Sequence, residues 1–181
     1  MLLIAESELI EQLKDPLTQE QAFRTLMSQY KERLYWHIRK IVISHDDADD
    51  VLQNTFIKIY RNIHNFKAES KLFSWMYRIA TNESISFINK RAKQNNIDVN
   101  ELQYKMAENL EADVYFDGNE IQLQLQKAVA TLPQKQQLVF NMKYFDDMKY
   151  KDIAEVLENS IGALKASYHH AVKKIETFLT Q

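Results

Sequence analysis

Glycine and proline each occur only twice in 181 residues. A β-sandwich or barrel needs turn residues at short intervals, so this scarcity excludes an all-β chain. It also excludes a glycine-rich phosphate loop, because neither Gly118 nor Gly162 lies in a multi-glycine motif. Helices remain, and the apolar pattern supplies them. Phe23, Leu26, Met27, Tyr30, Leu34, Ile38, Ile41 and Val42 recur at three- and four-residue intervals, one face of a long helix. Thr18 and Gln21 stand ahead of it at capping-box spacing, and Ser44 and Asp47 repeat that spacing. A second face follows in Val51, Leu52, Thr55, Phe56, Ile59, Tyr60 and Ile63. The period lapses from Asn65 to Ser70, which predicts a loop, with Ser70 capping a third helix that turns Leu72, Phe73, Met76, Ile79, Ala80 and Phe87 or Ile88 inward.

Acids accumulate from Gln94 to Asn119 as the pattern weakens, and a short helical piece is expected near Leu102 to Leu110. Period returns at Ile121, Leu125, Val129 and Leu132. Pro133 suits the first turn of a further helix with Leu138, Val139, Met142 and Phe145 inward. Two more helices are expected over 149–157 and 161–179. The fold class is therefore all-α: a helical domain over residues 1–93, an acidic linker over 94–120 and a second small helical domain over 121–181.

Composition narrows the function. The chain has no cysteine, which removes disulfides, thiol nucleophiles and thiolate metal sites. Its N-terminus lacks the basic and apolar regions of a signal peptide, and no stretch approaches the roughly 18 apolar residues of a membrane span, so a cytoplasmic protein is expected. His37, His45 and His64 form no metal pair or triad, and the adjacent His169 and His170 point about 100° apart on a helix. No catalytic residue, metal or other cofactor, and no small-molecule substrate, is expected. Net charge is only −2, but residues 61–93 carry seven basic groups against two acids, whereas 94–120 carry seven acids against one lysine. Such asymmetry implies separate surfaces for separate partners.

Three segments carry the functional signal. KYKDIAEVLENSIGALKASYHHAVKKI has the layout of a helix-turn-helix. Ile153, Ala154 and Leu157 pack its first helix, Ser160 caps the second, and Leu164 holds the two together. Lys165, Ser167, Tyr168 and Lys173 are expected to project elsewhere, toward a major groove, with Lys149, Lys173 and Lys174 on phosphates. The turn Glu158-Asn159-Ser160 lacks glycine, and Asn159 is the residue expected to tolerate a positive φ. In the second segment, FKAESKLFSWMYRIATNESISFINKRAK, Phe73, Trp75 and Tyr77 alternate beside Lys71 and Arg78, a pattern suited to single-stranded nucleic acid. Phe73 and Met76 read as core, while Trp75 fits either core or platform. The third, SHDDADDVLQNTF, has no EF-hand spacing. Asp46 and Asp47 suit the positive start of a helix. Asp50, Gln53 and Asn54 fall on one side of it, an edge fit for a basic protein partner.

Together, DADDVLQNTFIKIYRNIHNF, LFSWMYRIATN and LPQKQQLVFNMKYFDDMKYKDIAEVL resemble the extracytoplasmic-function group of the sigma-70 family of bacterial RNA polymerase sigma factors. The resemblance covers about residues 20–93 and 121–178, the family's regions 2 and 4. It implies a partner in core RNA polymerase (the β′ coiled coil and the β subunit), promoter DNA as a second, and an anti-sigma factor as a third. It places Asp50, Gln53 and Asn54 on the β′ coiled coil, with Asn54 where the family usually has Glu. The loop Lys67–Lys71, including Ser70, and Asn82 match the part that captures a flipped base of the −10 element, with Arg78, Lys90 and Arg91 along the strand; Trp75 is a further candidate for −10 contact. GALKASYHHA matches the −35 recognition helix. It keeps Gly162, Lys165, His169 and Ala171 but has Ala163 for the family's threonine and Ser167 and His170 for its arginines. The expected −35 contacts are Lys149, Ser160, Ala163, Lys165, Ser167, Tyr168, His169, His170 and Lys173, of weaker or altered specificity. The linker would thread a positive channel of the polymerase. The competing readings are a helix-turn-helix regulator that never docks on polymerase and a helical adaptor or decoy that binds only protein.

Overall fold

The computed structural model describes residues 5–110, 113 and 118–180. The chain runs through α1 (Glu6–Lys14), α2 (Gln19–Val42), α3 (His45–Asn62), a 3-10 turn (Ile63–Asn65), α4 (Leu72–Gln94), α5 (Val99–Glu108), α6 (Glu120–Ala130), α7 (Gln134–Phe140), a π turn (Asn141–Phe145), α8 (Tyr150–Leu157) and α9 (Ile161–Leu179). No strand occurs among the described residues. The linker acids Glu111 and Asp117 lie outside them.

Helices α2, α3 and α4 pack on one another around Leu26, Leu34, Ile38, Val51, Phe56, Ile59, Met76 and Ala80, all buried. Each of the larger side chains among them contributes about 1.5–3 kcal/mol when removed from water. Helix α1 is an element the periodic faces do not include. Leu9 and Leu13, one turn apart, are both buried there, and α1 lies against α2. Its Glu6 has a second task. Ser70 does not cap α4; the N-cap is Lys71, without a side-chain bond, and the free Leu72 N–H donates to Glu6 Oε1 at 3.1 Å. A carboxylate from a distant helix thus satisfies the positive end of α4. Thr18 likewise departs from its expected cap, its hydroxyl donating to Gln12 O at 2.8 Å. Ser44 does cap α3, accepting from the Asp47 N–H.

The link between α2 and α3 is so short that Ile43 adopts φ 66°. This conformation is costly for a β-branched residue. Burial offsets it, because Ile43 packs with Ala107, Leu110, Leu123 and Ala130 of the α5–α6 region. The acidic linker therefore begins as a packed helix. Leu102 of α5 joins Ile88 and Ala92 of α4. Gln103, fully buried, donates from Nε2 to Ile41 O at 2.9 Å and to Gln137 Oε1 at 3.0 Å, tying α2 to α7.

In the C-terminal module α6, α7 and α9 enclose Ala128, Val129, Leu132, Phe140, Ala171 and Ile175. Ile121 is 75% exposed, and Leu123 takes the inward position instead. Pro133 stands at the N-cap of α7, one residue outside the helix it was expected to open. A second set from this module, Val139, Met142, Met148, Ile153, Val156 and Leu164, is buried in the same apolar cluster as the N-terminal helices. The two modules are joined along a seam formed chiefly by α8 on α4.

Candidate nucleic-acid and protein interfaces

On α3 the outward edge is bare. Asp50, Gln53 and Asn54 are exposed, as their helical spacing predicts. Two other acids of that stretch are engaged near the helix start: Asp47 pairs with Arg91 of α4, and Asp49 lies 3.6 Å from His45. Gln53 borders an apolar groove of about 640 Å³ between α2 and α3, floored by Phe23, Met27, Leu52 and Phe56. Ile57 and Tyr60, 47% and 42% exposed, form part of its lining. The sequence reading missed this groove and turned Tyr60 inward. Its signal was Ile57, an apolar residue interrupting a polar face between Asn54 and Lys58.

The basic face of α4 is differently placed. Lys67 and Lys90 are exposed and Ser70 is half-buried in the loop before the helix. Lys71 Nζ lies 2.7 Å from Asp152 Oδ1 of α8, and the hydrogen bond and charge of Asp152 hold the ammonium above its usual range. Arg78 meets Glu158 Oε1 at 2.6 Å. Asn82 opens into a crevice of about 350 Å³ between α4, α7 and α8, shared with Leu138, Val156, Leu157 and Asn159. Trp75 is half-buried, its ring 5.1 Å from Phe66.

The alternating aromatic platform is not formed. Tyr77 is fully buried, its hydroxyl donating to Arg33 O at 3.3 Å, and burial pushes its phenol far above the ordinary range. Phe73 packs 4.3 Å from Tyr77, with the Arg33 guanidinium 4.0 Å above its ring. On a helix, alternate residues point some 200° apart, so Trp75 cannot share a face with both neighbours.

Below this face sits a buried charged cluster. Asp146, from the end of the π turn, has a side chain 5% exposed and lies between two residues of α2. His37 Nδ1 is 3.1 Å from one carboxylate oxygen and Lys40 Nζ 2.5 Å from the other. Burial pushes Asp146 up, but the hydrogen bond and charge of His37, then Lys40, more than offset it and leave the carboxyl below its usual range. His37 Nε2 also meets Thr81 Oγ1 of α4 at 2.8 Å.

The helix-turn-helix has the expected layout, with its strain one residue early. Glu158, not Asn159, takes the left-handed conformation, φ 50° and ψ 51°. Asn159 Oδ1 instead accepts from the Ser160 N–H at 2.9 Å, and Ser160 Oγ accepts from Ala163 N–H at 3.2 Å, capping α9. Lys165, His169, His170 and Lys173 are exposed, as is Lys149 at the start of α8, while Ala163 and Ser167 are half-buried. Tyr168 does not project with them. Its ring stacks on Phe140 at 5.8 Å and meets Tyr150 edge-on at 6.4 Å, inside the module.

Among the described residues no cluster of His, Asp or Glu is arranged to hold a metal ion, and no helix is long and apolar enough to cross a membrane. Residues 26–94 match the family model for sigma-70 region 2, and residues 122–175 match that for sigma-70 region 4. The chain is 28% identical over 159 residues to the ECF RNA polymerase sigma factor SigW of Bacillus subtilis, covering 83% of this chain and 84% of that one. Its fold resembles CnrH in complex with the cytosolic domain of CnrY, with TM-score 0.70 at 19% identity over 98% of both chains. It also resembles the sigma factor RpoE bound to the anti-sigma factor NepR from Bartonella quintana, with TM-score 0.66 at 20% identity, covering 87% of this chain and 96% of that one.

Proposed function

Because the chain belongs to the extracytoplasmic-function group of the sigma-70 family, we propose that it binds core RNA polymerase and directs promoter-specific initiation. The observation that carries the assignment of surfaces is their separation. The α3 edge of Asp50, Gln53 and Asn54 is exposed and borders the apolar groove, whereas Lys71, Arg78 and Lys90 lie on or beside α4 and Lys165 and Lys173 on α9. The α3 edge docks on the β′ coiled coil, with the apolar groove beside Ile57 adding contact area. Lys67, Ser70, Lys71, Trp75, Arg78 and Asn82 hold the −10 strand, with Lys90 and Arg91 further along it. Ser160, Ala163, Lys165, Ser167, His169, His170 and Lys173 face the −35 duplex, with Lys149 on its backbone; Tyr168 acts from within by fixing α9 on its module.

The chain performs no bond chemistry in this mechanism. Capturing an unstacked base offsets the few kcal/mol needed to unpair it. That preference for the open strand shifts promoter DNA toward melting, and polymerase supplies the active site. The setting is cytoplasmic. An anti-sigma factor is its expected inhibitor, by likeness to the NepR-bound sigma factor.

The test is reconstitution. Purified chain plus core polymerase should yield specific transcripts from promoters of its own genome that neither makes alone. Their absence across all such promoters overturns the reading. Asn82→Ala should lower −10 strand affinity and melting; normal melting removes Asn82 from the site.

A further inference from the structure

Helix α1 lies outside both family matches, which begin at residue 26 and at residue 122. It nevertheless holds the loop before α4 at both ends. Lys14, in its last turn, donates from Nζ to Phe66 O at 2.5 Å, where the loop leaves the 3-10 turn. Glu6, in its first turn, accepts from the Leu72 N–H at 3.1 Å, where the loop enters α4. Each bond has an ionised partner, which places it in the stronger class of hydrogen bond. Two buried leucines, Leu9 and Leu13, seat the helix between these contacts. At the rise of an α-helix, Glu6 and Lys14 stand about 12 Å apart along one rigid rod. A third tie runs beside them: Gln19 Nε2, at the start of α2, lies 3.0 Å from His64 Nε2 of the 3-10 turn.

The loop has little of its own to hold it. Lys67 to Ser70 form no backbone–backbone hydrogen bond among the described residues. Ala68 stands at φ 58°, a left-handed conformation that a non-glycine residue keeps only where its surroundings fix it. Its side chain is exposed and supplies no anchor. The fixed points are Phe66 and Leu72, both buried, one bonded through its carbonyl to Lys14 and the other through its N–H to Glu6. Between them lie Lys67, Ser70 and Lys71, and the Phe66 ring is 5.1 Å from that of Trp75. We infer that α1 is a clamp that sets the conformation of this loop, with Glu6 and Lys14 as positioning residues for capture of the unstacked base. This role rests on reading the loop as part of the −10 site, and it adds residues that the strand itself need not touch. Charge alone makes the opposite forecast for Glu6. After Asp152, its carboxylate is among the groups that stabilise the Lys71 ammonium, so an anion stands beside a phosphate-binding cation. Removing that anion should strengthen phosphate binding. A loosened loop still offers its cations to phosphates, which give affinity without sequence, but it no longer presents one fixed pocket to a base.

Two measurements on the full chain test the clamp. In amide hydrogen exchange, Glu6→Ala and Lys14→Met should each speed exchange at Phe66, Leu72 and Trp75 about tenfold, the scale of one lost charge-assisted bond, and leave α3 unchanged. Unaltered exchange in both variants overturns the clamp. The second measurement uses the chain with core polymerase, on a promoter found by reconstitution and on its single-base variants across the −10 element. The opening ratio between the preferred base and its substitutes should fall about tenfold in the Glu6→Ala, Lys14→Met double variant, as for one lost base contact. Affinity of the same holoenzyme for a −10 strand made abasic at that position should hold or rise. An undiminished ratio, or an abasic-strand affinity that falls in step with it, overturns the positioning role. Should the double variant fail to fold, Lys14→Met alone decides, and Lys14→Arg, which keeps the donor, should restore the ratio. Failure of the initiation reading is distinguishable. If no promoter responds, that reading falls, and the exchange rates still decide whether α1 sets the loop.

Discussion

Helices α3 and α4 belong to one bundle and both carry polar, partner-suited residues on their outer sides, yet one side is bare and the other is covered. Asp50, Gln53 and Asn54 are exposed, while Lys71 and Arg78 pair with Asp152 and Glu158 and Asn82 borders the crevice between α4 and α8. The difference follows from charge. On α4, Lys71 and Arg78 find carboxylate partners in Asp152 of α8 and in Glu158 just after it. The side chains of the α3 edge are thus open to solvent, while Lys71 and Arg78 are already paired.

The comparison is broken most directly at its apolar centre. Ile153→Ala should cost about 2–5 kcal/mol in urea unfolding, the usual range for emptying a buried aliphatic site. The same truncation at Gln53 should stay within about 0.5 kcal/mol. Similar costs at both would mean the seam contributes nothing to the fold. Asp50→Ala combined with Gln53→Ala should weaken polymerase binding about tenfold, a loss typical of one important interface residue, and leave single-stranded DNA affinity unchanged. Coupled loss of both affinities, in filter-binding and fluorescence titrations, would merge two surfaces described as separate. Ser160→Ala should destabilise the C-terminal module by about 1 kcal/mol through its lost cap; equilibrium unfolding of the variant reads it.

The smallest effect is on pH. Asp146 faces His37 and Lys40 from α2, with Tyr77 and Thr81 of α4 nearby, and its carboxyl is held below the usual range. Its contribution to the folded state is then fully present above the ordinary carboxylate pKa. It is lost as pH falls through the depressed value, when the proton removes the charge that both partners hold. The urea-unfolding stability of the parent should fall in that acid window, and Asp146→Asn should lack this contribution.

Much of this was legible because it is local. The faces of α2, α3 and α4 are repeated apolar spacings, and the Ser44 and Ser160 caps are decided within three residues. The exposure of Asp50, Gln53 and Asn54 follows from the same period. What escaped is what needs two distant segments. Two leucines one turn apart do not announce α1, whose value lies in burying them on α2 and lending Glu6 to α4. Tyr77 looked like a platform because alternation was read where a 3.6-residue period governs. Ile153 and Val156 looked sufficient as the inside of a helix-turn-helix, and nothing local says that they also close against another module. The left-handed turn falls on Glu158, and Asn159 Oδ1 accepts from the Ser160 N–H, a local arrangement that residue preference at Asn159 did not announce.

The aliphatic and thioether character of the seam has a thermal consequence. Burial of Val139, Met142, Met148, Ile153 and Val156 carries a heat-capacity change, so the attraction between the modules weakens on cooling. Any ligand that must part them will report an affinity containing this temperature-dependent toll. Its van 't Hoff plot should therefore curve even if its own contacts with the protein do not change.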